Sequence, residues 1–133
     1  MAGEIKSVFV DTNVFLRFLI EDVASQKTVV DKIFEDSASG KIILNSSIIV
    51  FFEIYWVLKS SCDIKGDDLV EKLRQILKLM VKFEKHKLLS KSVESMSKFS
   101  FDLEDSYNAN YSETIAASKF MTFDKRLSKI IER

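Results

Sequence analysis

The stretch Ser7-Val8-Phe9-Val10-Asp11-Thr12-Asn13-Val14-Phe15-Leu16 decides how this chain folds. An apolar run ends at Val10 and a second begins at Val14, with only Asp11, Thr12 and Asn13 between them and no glycine or proline to form a loop. A strand that feeds a helix this abruptly leaves Asp11 at the strand's carboxyl end, the edge where open α/β sheets place their ligands.

Outward from that junction, the spacing predicts a strand over Ile5–Val10, buried on both faces, and a helix over Thr12–Ile20. A second helix spans 25–37 with Val29, Val30, Ile33 and Phe34 as its buried stripe, and Gly40 ends it. Lys41–Leu44 reads as a strand. Ser46 and Ser47 are N-cap candidates for a helix running to Lys59. Asp67–Met80 repeats apolar residues with helical spacing on one face, from Leu69 to Met80. A third strand falls somewhere in Val81–Leu89. It is followed by helices over Lys91–Lys98 and Asp102–Ala117, a strand over Lys119–Phe123 and a closing helix over Asp124–Ile130. Strands alternating with helices imply a parallel sheet with helices on both faces, so the expected class is α/β.

The 133 residues suit a single domain, 1–133, able to bury about two-thirds of its unfolded surface. No proline and three glycines argue against an all-β or loop-rich chain. The single Cys62 cannot form an internal disulfide, and residues 1–20 carry Glu4, Asp11 and Arg17 within the apolar stretches, unlike a signal peptide. The longest apolar run, Ile48–Leu58, is interrupted by Glu53 and is too short to span a bilayer. The expectation is a soluble cytoplasmic protein. Formal charge sums to zero, but residues 1–71 hold 7 basic and 12 acidic side chains, whereas 72–98 hold 8 basic and 2 acidic ones. The basic segment reads either as a phosphate-tracking surface or as a solvated helix face.

Four acids occupy positions that a fold either avoids or uses. Asp11 ends the first strand. Glu53 has Ile49, Phe52, Trp56 and Val57 three and four residues away, so it snorkels, pairs with a base or binds a cation. An ordinary exposed Glu is hard to reconcile with those neighbours. Asp105 lies in the cluster Asp102, Glu104, Asp105, any of which suits a helix N-terminus, and spacing does not single one out. Asp124 follows Thr122-Phe123 at a strand end, on the edge that Asp11 occupies, or simply caps the last helix. One His (His86) and one Cys cannot supply a typical zinc set, His86 with its basic neighbours and no obvious nucleophile argues against a nucleophile–histidine triad, and no glycine-rich phosphate loop exists. Carboxylate-only ligation suits Mg²⁺ or Mn²⁺.

This ordered set resembles the PIN-domain ribonucleases, and most of all the VapC-type toxins of toxin–antitoxin systems. The likeness is carried by Asp11-Thr12-Asn13 at a strand end, Glu53 within the helix after the second strand, Asp105 opening a late helix, and Thr122-Phe123-Asp124 nineteen residues later. It implies a three-layer α/β/α sandwich around a parallel sheet and a Mg²⁺- or Mn²⁺-dependent endoribonuclease. By that resemblance Asp11, Glu53, Asp105 and Asp124 hold the metals, with Glu104 the rival of Asp105, while Asn13 and Thr122 orient the carboxylates or the attacking water. RNA is the implied substrate and a cognate antitoxin protein the implied partner. The same domain also serves RNA processing outside toxin–antitoxin pairs and non-catalytic RNA- or protein-binding scaffolds. A receiver-type phosphorylation module would need a paired acid beside Asp11, where Thr12 stands, and an Asp-x-Asp phosphatase fails on Asn13. The apolar surplus of Thr12–Ile20 and of the helix carrying Glu53 adds the expectation of a symmetric homodimer.

Overall fold

The structure is a computed structural model and describes residues 5–20 and 24–131, with the backbone alone at 24 and 25. In chain order the elements are β1 (Lys6–Phe9), α1 (Thr12–Ile20), α2 (Ala24–Ala38), β2 (Ile42–Ser46), α3 (Ile48–Ser60), α4 (Gly66–Lys78), β3 (Val81–Phe83), α5 (His86–Phe99), α6 (Leu103–Thr114) and α7 (Lys125–Ile131). The strands form one sheet in the order β1-β2-β3, parallel throughout, with Val8 opposite Leu44 and Leu44 opposite Val81. The α/β class and the parallel sheet read from the sequence are thus what the chain adopts. Its contacts divide into two compact units, Met1–His86 and Lys87–Arg133.

The first unit holds the sheet. Parallel strands need long crossovers, and here each crossover is a pair of helices, α1–α2 between β1 and β2 and α3–α4 between β2 and β3. Gly40, at φ +82°, closes α2 as expected. Its N–H bonds Ser37 O at 3.1 Å and the Lys41 N–H bonds Asp36 O at 2.9 Å, a left-handed stop that a Cβ would strain. Ser47 caps α3 in extended conformation, its side-chain oxygen accepting the Val50 N–H at 3.1 Å. An aromatic cluster joins α1, α2, α3 and β3. Phe15 packs on Phe34 and on Phe83, with ring centres 5.9 and 5.3 Å apart, and Phe51 meets Phe83 edge-on at 5.5 Å. Burial of Val50, Phe51, Ile54, Tyr55 and Leu58 locks one side of α3 into this core.

The second unit is helical. Leu89, Val93, Met96, Phe101, Leu103 and Leu127 form its core. Buried Asn110 donates to Ser95 Oγ and to Ser106 O, satisfying a polar group that would otherwise be costly. Arg126 donates to the Phe99 and Ser100 carbonyls at the end of α5 and stands 5.0 Å over the Phe101 ring.

Several expectations change. β1 is not buried on both faces. Within the described sheet it pairs with β2 alone, and Phe9 is 61% exposed. Lys119–Phe123 is not a strand, because it finds no ladder partner among the described residues, and Met121 and Phe123 stand 81% and 103% exposed. Val29 and Met80, placed on buried stripes by periodicity, are exposed as well. The apolar surplus of α1 is largely covered within the chain. Phe15 and Leu16 are buried, and the helix packs on α2 and α3. No helix of the described residues is long and apolar enough to cross a membrane. Glu4, part of the argument against a signal peptide, lies outside the described residues.

These contacts set an order of stability effects. Phe51→Ala, at a fully buried position, should cost about 3–5 kcal/mol. Ser47→Ala should cost about 1 kcal/mol and Ser47→Asp much less, because Asp still caps. Denaturant titration of the three variants checks the ranking, and a Ser47→Ala loss equal to that of Phe51→Ala would contradict it.

Candidate active site

The sheet's parallel sense delivers three strand ends to one edge, and short-range chemistry then fixes what stands there. β1 gives way to α1 with no intervening loop. The Val10 N–H bonds Asn45 O at 2.9 Å, and buried Ser46 Oγ donates to Val10 O at 2.7 Å, tying the ends of β1 and β2 together. Asp11 and Thr12 follow at once. Asp11 is exposed, and its Oδ1 accepts the Thr12 N–H at 2.8 Å. Thr12 is 6% exposed, and its hydroxyl donates to Glu53 Oε2 at 3.2 Å. One buried threonine therefore holds one oxygen of each acid and leaves Asp11 Oδ2 and Glu53 Oε1 for other partners.

Glu53 is exposed, which corrects the expectation that its apolar neighbours would enclose it. The helix turns its other side into the core, and Ile49 and Trp56, a turn before and after Glu53, are themselves 67% and 50% exposed. No ion pair engages Glu53 among the described residues, so the buried-pair alternative does not apply. Glu84 is a further acid on this edge, just after β3, and sequence reasoning did not single it out. Its Oε1 accepts the Ile48 N–H at 3.2 Å, a carboxylate at the positive end of α3.

In the second unit one of the three clustered acids takes the helix cap. Asp102 is the N-cap of α6, its Oδ1 accepting the Asp105 N–H at 2.8 Å. Asp105 is thereby released from capping. Burial first, then the charges of Asp102 and Asp124 and a side-chain hydrogen bond with Asp102, hold its carboxyl above the ordinary aspartate range. Asp124 caps the last helix, its Oδ1 accepting the Arg126 and Leu127 N–H groups at 3.0 Å each. Thr122 Oγ1 accepts the Asp124 N–H at 3.1 Å, so Thr122 orients Asp124 through the backbone. Of the two descriptions offered for Asp124, the helix cap holds and the strand end does not, since no strand precedes it; its charge acts on Asp105. Asn13 is exposed on the first turn of α1. Glu104 is half-buried.

The structure thus brings together Asp11 with Glu53 in one unit and Asp105 with Asp124 in the other. Among the described residues no group of three or more His, Cys, Asp and Glu side chains is close enough to hold a metal ion. The donor chemistry still fits a hard divalent cation. Asp11 and Glu53 are exposed, all-oxygen and anionic, and Mg²⁺ is commonly held by one or two carboxylates with water and phosphate oxygens completing the shell.

The model of the PIN domain matches residues 8–132, nearly the whole chain. The chain belongs to the PIN-domain family. PIN domains are generally nucleases and typically use divalent metals. No curated protein and no solved structure matches this PIN domain. Sequence reasoning quoted Thr12 in its motif but missed its bridging role, since a bond between positions 12 and 53 leaves no mark in local spacing.

The raised Asp105 carboxyl has a pH consequence. Its folded pKa lies above the unfolded one, so the folded state holds the proton more tightly, and stability is lost as pH rises through that interval. Asp105→Asn should therefore stabilise the metal-free protein at neutral pH, with the advantage shrinking toward pH 4. Urea titrations of both proteins at the two pH values check this, and an advantage that grows on acidification would contradict it.

Proposed function

We propose that this PIN domain is a Mg²⁺- or Mn²⁺-dependent endoribonuclease whose metal-holding carboxylates are Asp11, Glu53, Asp105 and Asp124. The observation that carries the reading is the Thr12 bridge, which fixes the exposed carboxylates of Asp11 and Glu53 through one bond to a neighbour and one to a residue 41 positions away, and leaves one oxygen of each available. The ordered recurrence of acids along the chain, within a family of nucleases, supports extending the set to the other two.

Hydrolysis of a phosphodiester needs a deprotonated water and relief of the negative charge on the phosphorane. A bound divalent ion supplies both. The chain's own residues prepare for that chemistry. Asp11 and Glu53 supply negative charge at the strand edge, and Thr12 keeps both side chains in one orientation at no cost in exposed flexible length. Thr122 and the first turn of α7 fix Asp124, while Asp102 takes the capping duty and frees Asp105. Asn13, exposed beside Asp11, is suited to orienting a water or a phosphate oxygen. The proposal extends to the toxin branch of the family, with a cognate antitoxin as partner, on the order of the acids alone, and asks nothing of the oligomeric state.

Cleavage of a circular RNA by the purified protein in Mg²⁺ or Mn²⁺, absent in EDTA, is the expected result, since a circle has no end for an exonuclease. Asp11→Asn should abolish cutting while the metal-free melting temperature stays within a few degrees. The same ions should raise the parent's stability by about 2.7 kcal/mol at a hundredfold excess over the dissociation constant. An uncut circle, or undiminished cutting by Asp11→Asn, overturns the reading.

A further inference from the structure

We propose that Trp56 is a stacking platform for a base of a single-stranded RNA substrate, with Lys59 as the neighbouring phosphate contact. The proposal rests on the endoribonuclease reading and deepens it by naming where the strand lies. In α3, Ile49, Glu53, Trp56 and Ser60 follow one another at three- and four-residue spacing, and all four are exposed. Trp56 therefore stands one turn from Glu53 on the same side of the helix.

The indole is 50% exposed yet held in place. Buried Tyr55 meets it edge-on, ring centres 6.1 Å apart, and the Lys59 ammonium stands over the ring, 5.8 Å from its centre. Lys59 is in turn fixed by donating to the Tyr55 hydroxyl at 3.3 Å. A half-exposed indole with a cation against its ring is a pairing that suits a single strand, a base stacked on the remaining exposed part of the ring and the backbone on the charge. Six residues of helix separate Lys59 from Glu53, about 9 Å along the axis, so the cation draws phosphate at a distance from the acids. The cation at the indole favours a polyanion over an apolar protein surface as the occupant.

Trp56 is the single tryptophan of the chain, so its emission reports this position alone. The Asp11→Asn protein is titrated with short oligoadenylate and oligouridylate RNA, and dye-labelled RNA anisotropy is followed in parallel. Saturable quenching is expected, stronger for adenine, whose stacking area is larger. Trp56→Ala should weaken binding roughly tenfold, with Trp56→Phe recovering part of it. Lys59→Gln should lower the salt slope by about 0.7. RNA that binds by anisotropy with tryptophan emission unchanged overturns the platform and leaves the nuclease reading standing. RNA neither bound nor, by the parent, cut overturns both. An emission shift with protein concentration alone, before RNA is added, means that a second copy covers Trp56 and overturns the platform.

Discussion

A buried hydroxyl must find an acceptor, and at the start of α1 the acceptor is a carboxylate from another helix. Leaving the Thr12 hydroxyl unsatisfied in that position would cost about 1–3 kcal/mol, so the bond to Glu53 Oε2 orients α1 and α3 at the same time as it orients the acid. Much else depends on that pairing. Ser46 ties β2 to Val10 immediately before Asp11, and Ser47 caps α3 immediately after β2. Three small hydroxyl side chains thus connect the ends of two strands to the starts of two helices. Asp11 and Glu53 inherit their positions from this framework.

The arrangement separates the groups that stabilise from the groups that are left available. Asp102 and Glu84 spend carboxylate oxygens on helix N-termini, where the interaction is favourable. Asp11 and Glu53 each spend one oxygen and keep one. Asp105 is placed against two like charges and partly buried, which is unfavourable for an anion. An acid that caps nothing, pairs with no base and is held against other acids reduces the stability of the chain alone. Such placements concentrate at functional sites, where a bound cation reverses their sign.

How legible this was in the sequence varies by the range of the interaction. The β1–α1 junction is visible because a strand and a helix meet with Asp11 between them, and both propensities are local. The Gly40 stop and the Ser47 cap are local in the same way. Lys119–Phe123 was misread because β-propensity describes a residue that fits a half-buried pleated surface, and Met121 and Phe123 are given no such surface here. β1 was expected to be covered on both sides because an apolar run does not say whether its strand lies inside a sheet or at its edge. Spacing alone left Asp102, Glu104 and Asp105 equivalent, and a single bond from the Asp105 amide sets Asp102 apart as the cap. Thr12 stood in the sequence only as part of the Asp11-Thr12-Asn13 motif, and its bridging role was not legible because its partner lies 41 residues away.

Glu53 shows why an apolar helix need not be a buried one. A helix with Ile48 to Leu58 apolar except at Glu53 reads as enclosed, yet α3 buries Val50, Phe51, Ile54, Tyr55 and Leu58 and turns Ile49, Glu53 and Trp56 outward. The two sides have different tasks. The inner one interlocks with the Phe15–Phe83 cluster, where a shift of one residue would displace several rings at once. That resistance is transmitted to the outer strip through the rigid helix, so the spacing of Glu53 and Trp56 is as fixed as the core beneath them. A site built this way owes its precision to packing, because side chains on a helix anchored by its buried side are held more closely than side chains on a loop.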